Sequence, residues 1–164
     1  MDTSRDALLD RAIAELGYAF DGPLRMGGDY VPVVLDDSTA YVSGQVPRVG
    51  HTVAVTGRAG GRVSLEQARQ AARICAVRAL LLLRQSLGSL DRVTRVLKVN
   101  VYTQCEPDFT QQSEVADAAS ALLKQVLGDA GAHARTSIGV LQLPKDATVE
   151  LDLVVRTREA AHVD

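Results

Sequence analysis

The chain has 164 residues, 46% hydrophobic and 23% charged, which suits one globular domain able to bury a core. Its net charge is -2 and its aromatic content 4%, with no tryptophan. These values argue against broad, charge-driven binding to nucleic acid and leave any platform for stacking bases poorly supplied, although a local basic patch is compatible with the total.

Residues 4–16 carry Leu8, Leu9, Ala12, Ile13 and Leu16 at helical spacing, with Gly17 as the stop. Residues 22–28 are rich in Gly and Pro and read as a connection. Two short strands are expected over 30–35 and 39–46, separated by the turn Asp36-Asp37-Ser38. A third, over 51–56, would end in the Gly-rich stretch 57–61. The clearest helix follows. Ser64 can cap it with Gln67 as capping-box partner, and Leu65, Ala68, Ala72, Cys75, Ala79 and either Leu82 or Leu83 mark its apolar face. Gly88 ends it, and residues 93–103 alternate as a strand. Pro107 and Asp108 introduce a second helix over about 109–127, stopped by Gly128. Strands over 137–141 and 148–156 flank the turn LPKD, and the tail beyond Arg158 is expected to fray.

This order implies one α+β domain, with two long helices on one face of a mixed sheet. The sheet face left uncovered would be apolar, a mark of association. Two cysteines thirty residues apart, in no CxxC, point to a reducing cytoplasm rather than a disulfide framework. The charged N-terminus reads as no export signal, and the longest apolar run, AVRALLLL, is too short to span a bilayer. No metal-ligand spacing and no phosphate loop is present, so neither metal nor other cofactor is expected. "TGRAGGR" lacks the Walker spacing and reads as a mobile hairpin end or a cleft-edge loop.

Arg135 and Glu150 place charge in segments otherwise built for a sheet, which suggests that both face a small-molecule pocket. The motifs YVSGQVP, SLEQARQAARICAVRALLLL, LDRVTRVLKVNVY, ARTSIGV and LPKDATVELDLVV occur in that order. In them the chain resembles the RidA/YjgF family over about residues 28–156. The resemblance implies a chorismate-mutase-like fold, a homotrimer with clefts between subunits, and hydrolysis of reactive enamines and imines such as 2-aminoacrylate to 2-keto acids and ammonia. It implies a small carboxylate substrate, a domain over 28–158 behind a helical extension over 1–27, and a frayed tail over 159–164. It also places a carboxylate-binding role on Arg135, a water-orienting role on Glu150, and substrate contacts on Ser43 and Tyr30. A cysteine of the archetype is replaced here by Ser137, whose backbone can still meet substrate while thiol chemistry at this position is excluded.

Each candidate has a plainer reading. An arginine fork suits a carboxylate but equally a structural salt bridge. Glu150 alternates with Val149 and Leu151, so its side chain is either solvated or set to hold a water. Ser43 and Ser137 can satisfy nearby backbone, and Tyr30 can be a half-buried strand residue. His133, two residues before Arg135, reads as a packing residue more than a catalytic one; Cys75 reads as core, and Cys105, at a strand end, can be exposed, with no cationic neighbour to activate it. Two other roles compete with catalysis: a non-catalytic module for 2-keto acids, and an endoribonuclease or interaction protein.

Overall fold

The computed structural model describes every residue except Met1, Arg25 and 159–164. A five-stranded sheet forms the base. Its strands are β1 (Val33–Asp36), β2 (Thr39–Gln45), β5 (Val93–Gln104), β6 (Ala134–Val140) and β7 (Val149–Thr157), in the order β1-β2-β7-β5-β6. β5 and β6 pair in parallel and the other neighbours antiparallel. The parallel pair is joined through a helix, as parallel strands require. Two further strands, β3 (Arg48–Val49) and β4 (Thr52–Val53), make a separate short hairpin.

Two helices, α2 (Leu65–Leu87) and α3 (Gln112–Leu127), cover one face of the sheet, and a third, α1 (Arg5–Leu16), packs against them. α2 starts where its capping box closes: Gln67 N donates to Ser64 Oγ at 3.2 Å, and Ser64 N donates to Gln67 Oε1 at 2.9 Å. It ends at Gly88, in the left-handed region at φ 83°. Its Ala68, Ala72, Cys75, Ala79 and Leu83 are fully buried, and so are Ala71, Ile74 and Ala76 on other faces. α2 is therefore buried nearly all round, between the sheet and α3, and its many alanines allow that close approach. α1, the helix expected over 4–16, packs on α3 and α2 and adds Leu9 and Ala12 to the core, and the two long helices cover the sheet as expected.

Period-two burial is clearest on β7. Val149, Leu151, Leu153 and Val155 are buried toward the helices, while Glu150, Asp152 and Val154 lie half-buried on the other face. That second face is uncovered in the single chain, with Tyr41 and Ile138 47% and 45% exposed.

Several boundaries differ from expectation. The strand expected over 30–35 begins at Val33, because the chain reaches the sheet only where Ser43 N bonds to Pro32 O. The strand over 51–56 contracts to Thr52–Val53: β7 occupies the edge of β2, and Pro47 starts the departure from the sheet. α3 starts at Gln112 rather than 109, since Phe109 closes a turn onto Glu106 O and packs beneath Gly60. β6 begins earlier than expected, at Ala134, so Arg135 lies within the strand. The 57–63 stretch packs against the end of β5, with Ala59 fully buried and bridged to Cys105. Cys75 is core as expected, and Cys105 is half-buried. The tail over 159–164 lies outside the described residues.

Candidate functional site

A bulge in β2 organises the first half of the site. Val42 pairs with Leu153 and Gln45 with Leu151, so Ser43 and Gly44 together oppose Asp152 alone. An extra residue breaks strict alternation. Val42 and Gln45 are consequently both buried, although three apart, while Ser43 and Gly44 are only partly covered. On the neighbouring strand Glu150 reaches over Gly44.

These residues line a cleft of about 430 Å³ together with Tyr30, Arg48, Arg78 and Lys145. Tyr30 comes from the loop before β1 rather than from a strand, and is 48% exposed. Lys145 stands on the turn between β6 and β7, at φ 59°. Buried Gln104 pins that turn: its Nε2 donates to Asp146 Oδ1 and its Oε1 accepts from Leu143 N, both at 2.7 Å.

Arg78 projects from α2 and is 4% exposed. Its Nε donates to Gln45 Oε1 at 3.2 Å and its Nη1 to the Arg48 carbonyl at 3.0 Å. Gln45 Nε2 in turn donates to the carbonyls of Ser43 and Gly44, both at 3.1 Å, and lies 3.3 Å from Ser43 Oγ. Arg78 and Gln45 thus brace the bulge from beneath. Neither was among the expected site residues. The available signal was a lone arginine inside AVRALLLL, and the glutamine beside Ser43 and Gly44.

Burial raises the Glu150 carboxyl above its usual range, and Asp152 on the same face adds to the effect. Asp152 itself accepts from Asn100 Nδ2 at 2.8 Å. A carboxyl moved toward neutrality is better matched to proton transfer than an ordinary one.

Arg135 belongs to a second surface. It pairs in register with Val99, a buried residue of the helix-facing side, whereas Glu150 pairs with Tyr102 on the open side. Its Nη1 donates to Asp117 Oδ1 at 2.8 Å and to Ser120 Oγ at 2.9 Å, both on α3. Its Nη2 donates to the Ser113 carbonyl at 3.4 Å. His133 extends this chain. Its Nδ1 lies 2.6 Å from the Gly131 carbonyl and its Nε2 2.9 Å from Ser120 Oγ. A carbonyl can only accept, so Nδ1 carries the proton and Nε2 accepts from the Ser120 hydroxyl. Burial, with Arg135 close by, holds the His133 pKa below its ordinary value, in keeping with that neutral form. His133 is therefore a support for Arg135. Ser137, also on the helix side, has its Oγ 3.5 Å from Ser113 Oγ.

Within one chain, then, Tyr30, Ser43 and Glu150 come together, while Arg135 lines a different depression with Asp117, Ser120 and His133. The plainer reading of Arg135, a structural ion pair, is present as its contact with Asp117.

Comparison with known proteins supplies the context. The family model for endoribonuclease L-PSP matches residues 23–157. Protein TCP17 of Trypanosoma cruzi is 38% identical over 144 residues, covering 87% of this chain and 90% of that protein. The crystal structure of Atu1372 from Agrobacterium tumefaciens superposes with a TM-score of 0.83 at 35% identity, over 93% of this chain and 94% of that one. Escherichia coli TdcF, crystallised with bound serine, gives a TM-score of 0.57 at 19% identity, over 80% and 90% of the two chains, a likeness of fold alone. No helix among the described residues is long and apolar enough to cross a membrane. With a family match spanning most of its length and these relatives, the chain belongs to the endoribonuclease L-PSP family, the YjgF/RidA superfamily.

Proposed function

We propose that the protein hydrolyses reactive 2-enamino and 2-imino acids, such as 2-aminoacrylate, to 2-keto acids and ammonia, in a cleft completed by a second copy of the chain. The observation that carries this reading is the placement of Glu150: a carboxyl of raised pKa, held over Gly44 at the mouth of a small cleft beside Ser43 and Tyr30.

The chemistry asks little of the protein. An enamine first becomes the imine as a proton moves from nitrogen to its terminal carbon; water then adds to the imine carbon, forming a carbon–oxygen bond, and the new hydroxyl gives up its proton as the carbonyl forms, the carbon–nitrogen bond breaks and ammonia departs. Glu150 orients the water, takes its proton as the bond forms, and returns a proton to the nitrogen as it leaves. Ser43 orients the nitrogen and Tyr30 closes the mouth. Arg135 and the backbone at Ser137, on the surface that a neighbouring copy presents, fix the substrate carboxylate through the planar guanidinium fork. Such a reaction is accelerated by orientation and charge placement, with no covalent nucleophile. The uncovered sheet face, with Tyr41 and Ile138 exposed, supports assembly, and we assign the homotrimer of the family.

The exchange to Ser137 supports one alternative, a module that binds 2-keto acids without turnover. The description of the family model names a ribonuclease activity, but the net charge of -2 and the absence of tryptophan favour a small-molecule ligand.

The test is a coupled assay. A pyridoxal-phosphate enzyme generates 2-aminoacrylate in place, and keto-acid formation is followed with wild type and Arg135→Ala. The reading expects acceleration by wild type and its loss in a folded, assembled variant. No acceleration by folded wild type, with calorimetric binding of 2-ketobutyrate, would favour the binding module. RNA cleavage by pure protein, lost on substitution of Glu150, would favour the ribonuclease.

A further inference from the structure

We infer that Asp117 and Ser120 of α3 are positioning residues for the substrate carboxylate: they lock one nitrogen of the Arg135 guanidinium, so that the clamp is offered by Nε and Nη2 alone. This inference rests on the carboxylate-binding role proposed for Arg135, and adds which part of the side chain binds and what holds it there.

Two rows of side chains face each other where α3 packs on β6. Ser113, Asp117 and Ser120 stand four and three residues apart, a spacing that puts them on one face of the helix. His133, Arg135 and Ser137 alternate along β6 and its approach, on the side toward that helix. The rows run in opposite directions and meet along their length: His133 at Ser120, Arg135 at Ser120 and Asp117, Ser137 at Ser113. Other positions of α3 fill the core, Val115, Ala119 and Leu123 among them, so the polar row serves the sheet edge.

A guanidinium carries five N–H donors in one plane. Both on Nη1 are engaged, by Asp117 Oδ1 at 2.8 Å and Ser120 Oγ at 2.9 Å. One on Nη2 points to the Ser113 carbonyl at 3.4 Å. Among the described residues nothing accepts from Nε or from the second Nη2 hydrogen. These two belong to adjacent nitrogens, and such a fork holds both oxygens of a carboxylate in parallel bonds. Arg135 lines a depression of about 440 Å³, which has room for a small acid beside it.

The seat fixes Arg135 without cancelling its charge. His133 accepts the Ser120 hydrogen at 2.9 Å, which turns the lone pairs of the serine oxygen toward Arg135. The Asp117 side chain is 60% exposed, so water screens its charge and leaves Arg135 attractive to an incoming anion. An arginine already held in place also loses less rotamer freedom on binding than a mobile one.

The test is calorimetry on the assembled protein, comparing 2-ketobutyrate with its neutral amide, 2-oxobutanamide. Wild type, Asp117→Ala, Asp117→Asn, Ser120→Ala and Arg135→Ala are measured; asparagine keeps an acceptor oxygen where the carboxylate stood. Wild type is expected to bind the acid about tenfold tighter than the amide. Asp117→Ala and Ser120→Ala should each weaken the acid by about five- to tenfold and leave the amide unchanged, while Asp117→Asn returns to within about twofold of wild type. Tighter acid binding by Asp117→Ala would reveal a competitor for Arg135 and overturns the inference. Unchanged acid binding in both alanine variants overturns it too, as does a parallel loss of acid and amide, the mark of a merely structural contact. An Asp117→Asn variant as weak as Asp117→Ala would show that charge matters and position does not. Ser120→Ala removes only a hydroxyl from a half-buried position, so it reports even where Asp117→Ala fails to fold. Arg135→Ala separates the two claims. If it binds the acid as wild type does, or if wild type binds no acid, the clamp reading fails and takes the inference with it. If it loses the acid while Asp117→Ala and Ser120→Ala keep it, the clamp stands and the inference alone is lost.

Discussion

Gly44 and Glu150 compete for one volume: a Cβ built on Gly44 would lie 2.0 Å from Glu150 Oε1. The carboxyl rests where it does because β2 carries no side chain at its bulge. In Gly44→Ala the atom in the way is the tip of a flexible side chain rather than backbone. The expected outcome is a shift of under about 1 kcal/mol in urea stability. The displaced carboxyl lowers kcat/KM for the imine by about tenfold, since small misplacements at the reacting centre are costly.

Gly131→Ala has the opposite profile. Its Cβ would meet the Leu123 carbonyl at 2.6 Å and the Lys124 Cα at 2.9 Å, both backbone atoms of α3. Backbone cannot step aside cheaply, so a loss of about 1–3 kcal/mol is expected in urea unfolding. The carbonyl of Gly131 itself anchors His133, so residual activity should show a raised KM as Arg135 loses its support.

Stability against pH tests the environment of Glu150. Its pKa is raised from an ordinary value of 4.5, chiefly by burial. Between 4.5 and the raised value the folded chain holds more protons than the unfolded one, so this group's contribution to stability falls as pH rises through that window. Glu150→Gln is therefore expected to unfold at higher urea than wild type near neutral pH, with the difference vanishing below pH 4.5. A variant less stable than wild type at neutral pH would show that the carboxylate is favourably paired instead.

These expectations depend on features of unequal visibility in sequence. The α2 cap was legible because Ser64 and Gln67 act on local backbone, and the β7 faces because alternation is local too. The bulge was not. YVSGQ reads as an unbroken strand, and only pairing with β7 shows that Ser43 and Gly44 share one partner and that Gln45 turns inward to Arg78. For the same reason the separation of Arg135 from Glu150 was out of reach. Both residues follow the strand period, but β6 is an edge strand parallel to β5 and β7 is antiparallel to it. Which side each faces is a property of the register.

The uncovered sheet face yields a prediction about assembly. Ile138 is 45% exposed on edge strand β6, in register with Tyr102 of the same face. If copies associate through this face, Ile138→Asp brings a charge into the contact and shifts the protein toward monomer in light scattering, with its circular dichroism preserved. A mass unchanged from wild type would place the contact elsewhere.

The shared cleft is tested most directly by mixing two variants, each inactive alone. Arg135→Ala lacks the carboxylate clamp and Glu150→Gln lacks the proton acceptor. Co-refolded in equal amounts, they combine at random. If the two residues of one cleft come from different copies, about one quarter of the clefts regain both, and about one quarter of wild-type turnover should return. No recovery from well-folded mixed assemblies would contradict the account and return Arg135 to the role its contact with Asp117 also supports, a structural ion pair.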